Sequence, residues 1–241
     1  MAIRQSANNC ATSAQPDSYV FIVTYGRSGS TLLQSILNSI DGYCIRGENG
    51  GILPHLSRAY HDLKDSGPIT GLRTAAKPSP VDHPWFGGEC IDSDKLGASM
   101  CASFIDNVLA LPAGTRVGGF KEIRYHALGS YLNRHLDFIS QYFPNAKFVF
   151  NIRNLNDVAN SGWWRERDRQ EVIRLLGAAD ERFKEYIAAN DSNSILMEYD
   201  TYKNDSSALE SLYCFLGEEF DPSSVEGILN KKLTHLQPPP R

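Results

Sequence analysis

Five short apolar segments recur along the chain, and stretches with the apolar spacing of helices lie between them. The apolar segments are residues 19–24, 43–46, 116–123, 147–152 and 194–199. Runs of this length bounded by turn residues predict buried strands. Strands that alternate with helices favour a parallel sheet covered on both faces, so the pattern predicts an α/β fold with a central, mostly parallel sheet flanked by helices.

The first helix is predicted by apolar residues at the i, i+3, i+4 and i+7 positions, which are Leu33, Ile36, Leu37 and Ile40. Asp41-Gly42 is expected to end it. Further helical patterns cover residues 51–64, 96–109, 167–189 and 207–216, and Pro54 implies a late start for the first of these. Residues 67–89 are rich in Pro and Gly, which predicts a long irregular segment that is either functional or disordered.

A length of 241 residues allows one substantial core. We expect a single domain over residues 18–236, between tails at residues 1–17 and 237–241. The net charge of −4 argues against a general nucleic-acid or membrane-surface binder, so any anion site must be a local basic pocket.

The cellular compartment is indicated by two absences in the sequence. The five cysteines are widely spaced and form no C-x-x-C pair, which favours a reduced, cytoplasmic protein. No stretch approaches the ~20 apolar residues of a membrane span. We therefore expect neither a membrane partner nor a disulfide framework.

An anion site is predicted where the first strand meets the first helix, in the stretch GRSGST that begins at Gly26. The free N–H groups of a first helical turn, together with the helix dipole, attract anions. Gly26 and Gly29 allow a tight turn and a close backbone approach, and Ser30 and Thr31 add hydroxyl donors. Arg27 supplies a cation within the same loop.

This loop differs from the P-loop of nucleotide-hydrolysing enzymes, whose pattern is G-x-x-x-x-G-K-[ST]. Ser30 stands where that pattern has its lysine, and the cation is at Arg27 instead. The strand at 147–152 is followed by Arg153 rather than by an aspartate that would hold magnesium. The loop is therefore expected to bind a phosphate without a metal.

The stretch GRSGSTLL resembles the 5′-phosphosulfate loop of sulfotransferases that use 3′-phosphoadenosine 5′-phosphosulfate (PAPS). The resemblance implies a P-loop-like fold and a nucleotide site that includes Arg27, Ser28, Gly29, Ser30 and Thr31. Arg27 takes the position of the family's catalytic basic residue.

A second resemblance lies in FVFNIRNLNDVANSGWW, where Arg153 and Ser161 match the family's arginine and serine that hold the 3′-phosphate. The spacing also has a physical reason. If a helix starts near Asn154, Ser161 lies two turns in, on the face of the helix start. A guanidinium and a hydroxyl placed in this way can hold one phosphate from two sides.

The stretch CIRGENGG is similar to a segment of tyrosylprotein sulfotransferases, and the resemblance makes Glu48 the general base. The family often has a lysine where this chain has Lys121, near the bridging oxygen, where a cation can stabilise developing charge. The late KGxxGxW nucleotide loop of cytosolic aryl and steroid enzymes is absent, so LNKKLTHLQ must serve differently or not at all.

Several neighbouring side chains have open roles. Arg46 can orient Glu48 or the substrate, or be a plain surface residue, and Arg124 is expected to pair with Glu122. If Glu48 is not the base, His126 and His55 are the alternatives. Trp163 and Trp164 can stack adenine or line the acceptor pocket, and core packing is as strongly expected for one of the two.

The resemblance implies a sulfotransferase that moves a sulfuryl group from PAPS to a hydroxyl or amine of a small-molecule or carbohydrate acceptor, releasing 3′-phosphoadenosine 5′-phosphate (PAP). A small-molecule kinase is the first alternative, against which stand Ser30 and the missing magnesium aspartate. The second is a non-catalytic PAP or PAPS sensor, which would need Arg27 and Arg153 but not Glu48. The sequence leaves the acceptor's identity and the oligomeric state open.

Overall fold

Five strands form one sheet in the computed structural model, which describes residues 16–75 and 77–230. The strands are β1 (Ser18–Val23), β2 (Tyr43–Arg46), β3 (Val117–Glu122), β4 (Ala146–Ile152) and β5 (Ser194–Glu198). Their order is β2-β3-β1-β4-β5, and every neighbouring pair is parallel. The predicted α/β fold with a central parallel sheet is confirmed, and all five predicted strands are present.

Helices connect the strands and lie on both faces of the sheet. They are α1 (Ser30–Leu37), α2 (Ile52–Lys64), α3 (Gly67–Ala75), α4 (Ser93–Phe104), α5 (Leu132–Tyr142), α6 (Leu155–Ala159), α7 (Arg169–Ala189), α8 (Tyr199–Tyr202), α9 (Glu210–Leu216) and α10 (Pro222–Leu229). Short 3-10 helices cover Gly88–Cys90, Tyr125–Tyr131, Gly162–Glu166 and Ser206–Leu209, and a π-helical turn covers Ile105–Leu109.

Alternation of side chains along the strands gives the sheet two different cores. In β1, Phe21 belongs to a large aromatic-rich core that includes residues of α2, α4, α5 and α7. Its neighbours Val20 and Ile22 belong to a smaller, mainly aliphatic core with α1, α9 and α10. The connections that follow β1 and β4 thus run over opposite faces of the sheet. In open α/β sheets, the crevice at the carboxyl ends of two such strands is the usual ligand site.

The structure differs from the sequence prediction in the segment expected to be irregular. Residues 67–75 form α3, with Ile69 buried. Pro68 is compatible with this helix because a proline in the first turn removes an N–H that would have no intrahelical partner. The predicted helix at 96–109 begins earlier, at Ser93, because the Asp92 carboxylate caps the N–H groups of Asp94 and Lys95.

The chain ends are only partly covered by the described residues. Pro16 and Asp17 are described, and the remainder of the predicted tails, like most of LNKKLTHLQ, lies outside the described residues. Cys44, Cys90, Cys101 and Cys214 all carry free thiols. No helix in the part of the chain that the structure describes is long and apolar enough to cross a membrane.

Candidate active site

A cleft of about 850 Å³ lies at the carboxyl ends of the central strands. It is bordered by the loops that follow β1, β2, β3, β4 and β5. The residues predicted for the site that line it are Arg27, Gly29, Ser30, Thr31, Glu48, Lys121 and Arg153. Parallel strands end on the same edge of a sheet, which is why residues so distant in sequence meet here.

The loop between β1 and α1 contains two residues with positive φ and leaves the start of α1 without a capping side chain. Gly29 has φ +82° and serves as the N-cap of α1, with no side-chain hydrogen bond to the helix start and no acidic residue in the first turn. Arg27 also has a positive φ, 71°, which is uncommon for a residue with a side chain. The first N–H groups of α1 therefore have no capping side chain, and the helix dipole adds positive potential at the same place.

Polar residues of the neighbouring strands hold this loop in place. The Thr24 hydroxyl lies 2.7 Å from Ser28 Oγ and 2.6 Å from the Asn151 carbonyl oxygen. Asn151 donates from Nδ2 to the Ser28 carbonyl at 2.9 Å and accepts at Oδ1 from the Tyr202 hydroxyl at 2.8 Å. Ser28 is fully buried, so its side chain belongs to this supporting network and its backbone is what the loop presents.

Ser161, which the sequence predicted to act together with Arg153, is hydrogen-bonded to Arg27. Arg27 Nε donates to Ser161 Oγ at 2.9 Å. The prediction that Ser161 lies two turns into a helix is wrong, because α6 ends at Ala159 and Ser161 has extended backbone angles. The chain turns at Gly162, which has φ +58° and lies so close to the Arg27 side chain that a Cβ there would be 2.8 Å from it.

Arg153 follows β4 and reaches the same loop. Its Nη1 donates to the Arg27 carbonyl oxygen at 3.3 Å, and its guanidinium lies 4.8 Å from the centre of the Tyr199 ring. The carboxylates of Asp157 and Asp200 lie 3.9 and 3.8 Å away, beyond hydrogen-bond distance. Arg153 Nε is buried and has no hydrogen-bond partner among the described residues. A buried donor without a partner is costly, and an anionic ligand in the cleft would satisfy it.

Glu48 and Lys121 form an ion pair at the opposite side of the cleft. Lys121 Nζ donates to Glu48 Oε1 at 2.6 Å. The pairing of β2 with β3 sets Arg46 opposite Phe120, so the loop after β2 passes directly over the end of β3. The Lys121 side chain is only 7% exposed, whereas that of Glu48 is 41% exposed. A buried cation is thus matched with a carboxylate that is open to solvent.

Two aromatic rings cover the glycines of the first loop. The Trp163 ring packs against Gly26, where a Cβ would come within 2.3 Å, and the Tyr199 ring packs against Gly29, where a Cβ would come within 2.0 Å. Trp163 is 49% exposed and lines the cleft, whereas Trp164 is buried and donates from Nε1 to the Gly26 carbonyl oxygen at 2.9 Å. One tryptophan is therefore a core residue and the other a wall of the cleft.

The arginines with open roles are bound elsewhere. Arg46 donates to the carbonyl oxygens of Leu109 and Ala110, so it does not orient Glu48. Arg124 makes no ion pair with Glu122 among the described residues, and the expected pairing is wrong. The Glu122 carboxylate instead accepts from the N–H groups of Gly51 and Ile123 at 3.0 and 2.8 Å.

The two alternative bases lie outside the residues that line the cleft. The His126 ring packs edge-on against Trp164, with its Nδ1 3.1 Å from the Ile123 carbonyl oxygen. Burial lowers the pKa of His126 below its usual value. His55 lines a second, smaller cavity. Glu48 is thus the only one of the three candidate bases in the cleft.

A buried carboxyl group lies behind Arg153. The Tyr25 hydroxyl accepts from the Arg153 backbone N–H at 3.2 Å and lies 3.5 Å from Asp180 Oδ2. Burial raises the pKa of Asp180 to about 7.

No group of three or more His, Cys, Asp or Glu side chains within residues 16–75 and 77–230 could hold a metal ion.

Comparison with known proteins gives a family match over most of the chain. The model described as "Sulfotransferase family" matches residues 19–222. Among solved structures, the chain is similar to the sulfotransferase domain of the Synechococcus PCC 7002 olefin synthase, with 19% identity, 93% of this chain and 82% of that chain covered, and a TM-score of 0.58. It is also similar to the sulfotransferase domain of the curacin biosynthetic pathway, with 16% identity, 91% and 80% covered, and a TM-score of 0.52. These likenesses show the fold. No curated protein sequence gave a significant match.

Proposed function

This chain belongs to the sulfotransferase family, and we propose that it transfers a sulfuryl group from PAPS to a hydroxyl or amine of a small-molecule or carbohydrate acceptor in the cytoplasm. One observation carries the proposal. An uncapped helix start, two arginines and a paired carboxylate and lysine all line the same cleft. The helix start and the two arginines suit the phosphates of a nucleotide. The paired carboxylate and lysine suit proton removal and charge stabilisation.

The chain's own residues fit both ends of this nucleotide. The backbone N–H groups at the start of α1, with the hydroxyls of Ser30 and Thr31, are suited to the 5′-phosphosulfate. The Nε of Arg153, which has no hydrogen-bond partner among the described residues, and the hydroxyl of Ser161 are suited to the 3′-phosphate. Arg27 belongs to the loop suited to the 5′-phosphosulfate and also contacts both residues suited to the 3′-phosphate, since its carbonyl oxygen accepts from Arg153 and its side chain donates to Ser161.

PAPS supplies an activated sulfuryl group, and the chain supplies the base and the cation. Glu48 accepts the proton of the acceptor hydroxyl as the new S–O bond forms. Lys121 stabilises the negative charge left on the phosphate oxygen as the old S–O bond breaks and PAP leaves. The ion pair of Glu48 and Lys121 must open for both tasks, and the exposed Glu48 carboxylate is the partner that can turn toward the acceptor.

A thermal-shift comparison of PAP, AMP, ADP and magnesium-ATP tests this proposal. A ligand at 100 times its Kd raises the free energy of unfolding by ~2.7 kcal/mol. PAP is expected to stabilise the protein most, because only PAP offers a 3′-phosphate to Arg153. If magnesium-ATP stabilised it most, a kinase would be the better interpretation. If PAP stabilised no more than AMP, the assignment of the 3′-phosphate site would be wrong.

A further inference from the structure

A second cavity, of about 190 Å³, opens beside the cleft on the other side of β3. The cleft and the cavity are lined by adjacent residues of the same two chain segments. In the loop after β2, Glu48 lines the cleft and Asn49 lines the cavity. In β3, Lys121 lines the cleft and Glu122 lines the cavity. Since consecutive Cα atoms are about 3.8 Å apart, the cavity begins within one residue of the proposed base.

Polar atoms without partners surround this cavity. Asn49 has both its Oδ1 and its Nδ2 buried, and neither has a hydrogen-bond partner within the described ranges. The Tyr125 hydroxyl, on a side chain that is almost fully buried, also lacks a partner there. Buried polar groups in proteins nearly always have partners. Three such atoms around one cavity therefore indicate a site built to hydrogen-bond a ligand.

The charge around the cavity favours a ligand with a negative group. Arg58 and Arg124 both line it, and neither makes an ion pair with any described residue. Arg58 stacks on the Tyr131 ring at 4.1 Å, and the one hydrogen bond of the Arg124 side chain within the described ranges goes to the Gly50 carbonyl oxygen at 3.5 Å. The one carboxylate in the cavity is that of Glu122, which is already bonded to two backbone N–H groups. With two guanidinium groups and one carboxylate, the side chains that line the cavity carry a net positive charge.

The size of the cavity and its apolar walls indicate what kind of body the ligand carries beside its negative group. Phe120, Leu128 and Pro54 form apolar walls. An engineered apolar cavity of roughly 150 Å³ holds a benzene ring, so a cavity of about 190 Å³ can hold a six-membered ring with a small substituent.

We propose that this second cavity binds the tail of the acceptor, and that the acceptor is a hydroxy compound with a carboxylate-type group on a compact apolar body. The inference rests on the proposed function, because it assumes that Glu48 activates the acceptor hydroxyl. The apolar body lies against Phe120 and Leu128, the anionic end meets Arg58 and Arg124, and the hydroxyl points toward the cleft. Asn49 and Tyr125 supply hydrogen bonds that orient the ligand.

The cavity is tested with benzoate and its neutral analogue benzyl alcohol, each added to the PAP-bound protein. Binding is measured by calorimetry and by the NMR signal of the Asn49 side-chain amide. Benzoate is expected to bind at least about tenfold more tightly, as for one charge-assisted hydrogen bond. Arg58→Gln and Arg124→Gln are each expected to remove about this factor for benzoate and to leave benzyl alcohol unchanged. Arg73→Gln, on an exposed face of α3, is the matched control.

Equal affinity for the two probes, or benzoate affinity unchanged in both arginine variants, would overturn the proposal and leave the cavity to water. If one arginine variant fails to fold, the other and the wild-type comparison still decide. PAP affinity is measured in every variant and is expected to stay the same. Benzoate and benzyl alcohol binding is also measured without PAP, so failure of PAP to bind would reject the proposed function without affecting the benzoate result, and the two failures are distinguishable.

The acceptor role is tested separately with labelled PAPS. Labelled product is expected from 4-(hydroxymethyl)benzoate in at least about tenfold excess over product from 1,4-benzenedimethanol, and Arg124→Gln is expected to remove this preference. Product from the neutral alcohol at an equal or higher rate, or no product from either compound, would overturn the assignment of the cavity to the acceptor.

Discussion

Replacing Asp180 by asparagine is expected to change how the stability of the protein depends on pH. Asp180 lies on α7, is 8% exposed, and approaches the Tyr25 hydroxyl behind Arg153. Burial is the main reason why its pKa rises to about 7, and the Tyr25 hydrogen bond and the Lys184 charge act in the opposite direction. The folded protein therefore favours the neutral carboxylic acid, which asparagine imitates in size and charge.

The magnitude follows from proton linkage. The ordinary pKa of the group is 3.8, and the folded value is about 7. Between these values the folded state binds more protons than the unfolded state, so the free energy of unfolding falls as pH rises. From pH 5 to the folded pKa, a difference of about 2 at ~1.4 kcal/mol per unit gives about 3 kcal/mol. The free energy of unfolding has lost this contribution completely above about pH 7, and it has lost none of it below about pH 4.

Thermal unfolding of both proteins at pH 5 and pH 8 measures this effect. The stability of Asp180→Asn relative to the wild type is expected to increase by about 3 kcal/mol between the two pH values, or roughly 6–12 °C in Tm for a domain of this size. Asp191→Asn removes an exposed carboxylate and should show no such increase. If the relative stability of Asp180→Asn were the same at both pH values, Asp180 would not be neutral in the folded protein.

Three further predictions concern the cleft. Arg153→Ala should weaken PAP binding, measured by calorimetry, by the ~1.5–3 kcal/mol of a charge-assisted bond, and should weaken AMP binding little. Ser161→Ala should have the same effect more weakly. Equal losses for both ligands would contradict the assignment of the 3′-phosphate site. Arg27→Ala should lower PAPS turnover with an unchanged circular dichroism spectrum, and an unfolded variant would show that Arg27 is structural. Glu48→Gln should keep PAP affinity within about threefold and lower kcat by ~10²–10⁴, with Lys121→Ala also lowering kcat; near-normal turnover would exclude Glu48 as the base.

Features that depend on local spacing could be predicted from the sequence. The strands were recognisable because each is a short apolar run between turn residues, and the loop from Gly26 to Thr31 because a glycine turn joins a strand to a helix. These patterns depend on neighbouring residues only. The pairing of Glu48 with Lys121 was not predicted, since it depends on which strands become neighbours.

Features that depend on distant contacts could not be predicted in the same way. Tyr199 covers Gly29, and Asn151 supports Ser28, although nothing in either local sequence marks the partner. The only available signal was a polar Asn151 between the apolar residues Phe150 and Ile152. Ser161 was placed on a helix because its spacing from Arg153 fits one, but Gly162 turns the chain before that helix can continue.

The support of the first loop by the last strands has a consequence for how the chain is made. The loop is synthesised first, but its contacts join Thr24 to Asn151, 127 residues later, and Tyr25 to Asp180, 155 residues later. Closing such long loops costs entropy and slows folding. A nascent chain that has emerged only as far as β3 carries the whole glycine loop and both Glu48 and Lys121, yet lacks Asn151, Trp164 and Tyr199. The proposed nucleotide site is therefore completed late, when β5 and the residue that follows it leave the ribosome.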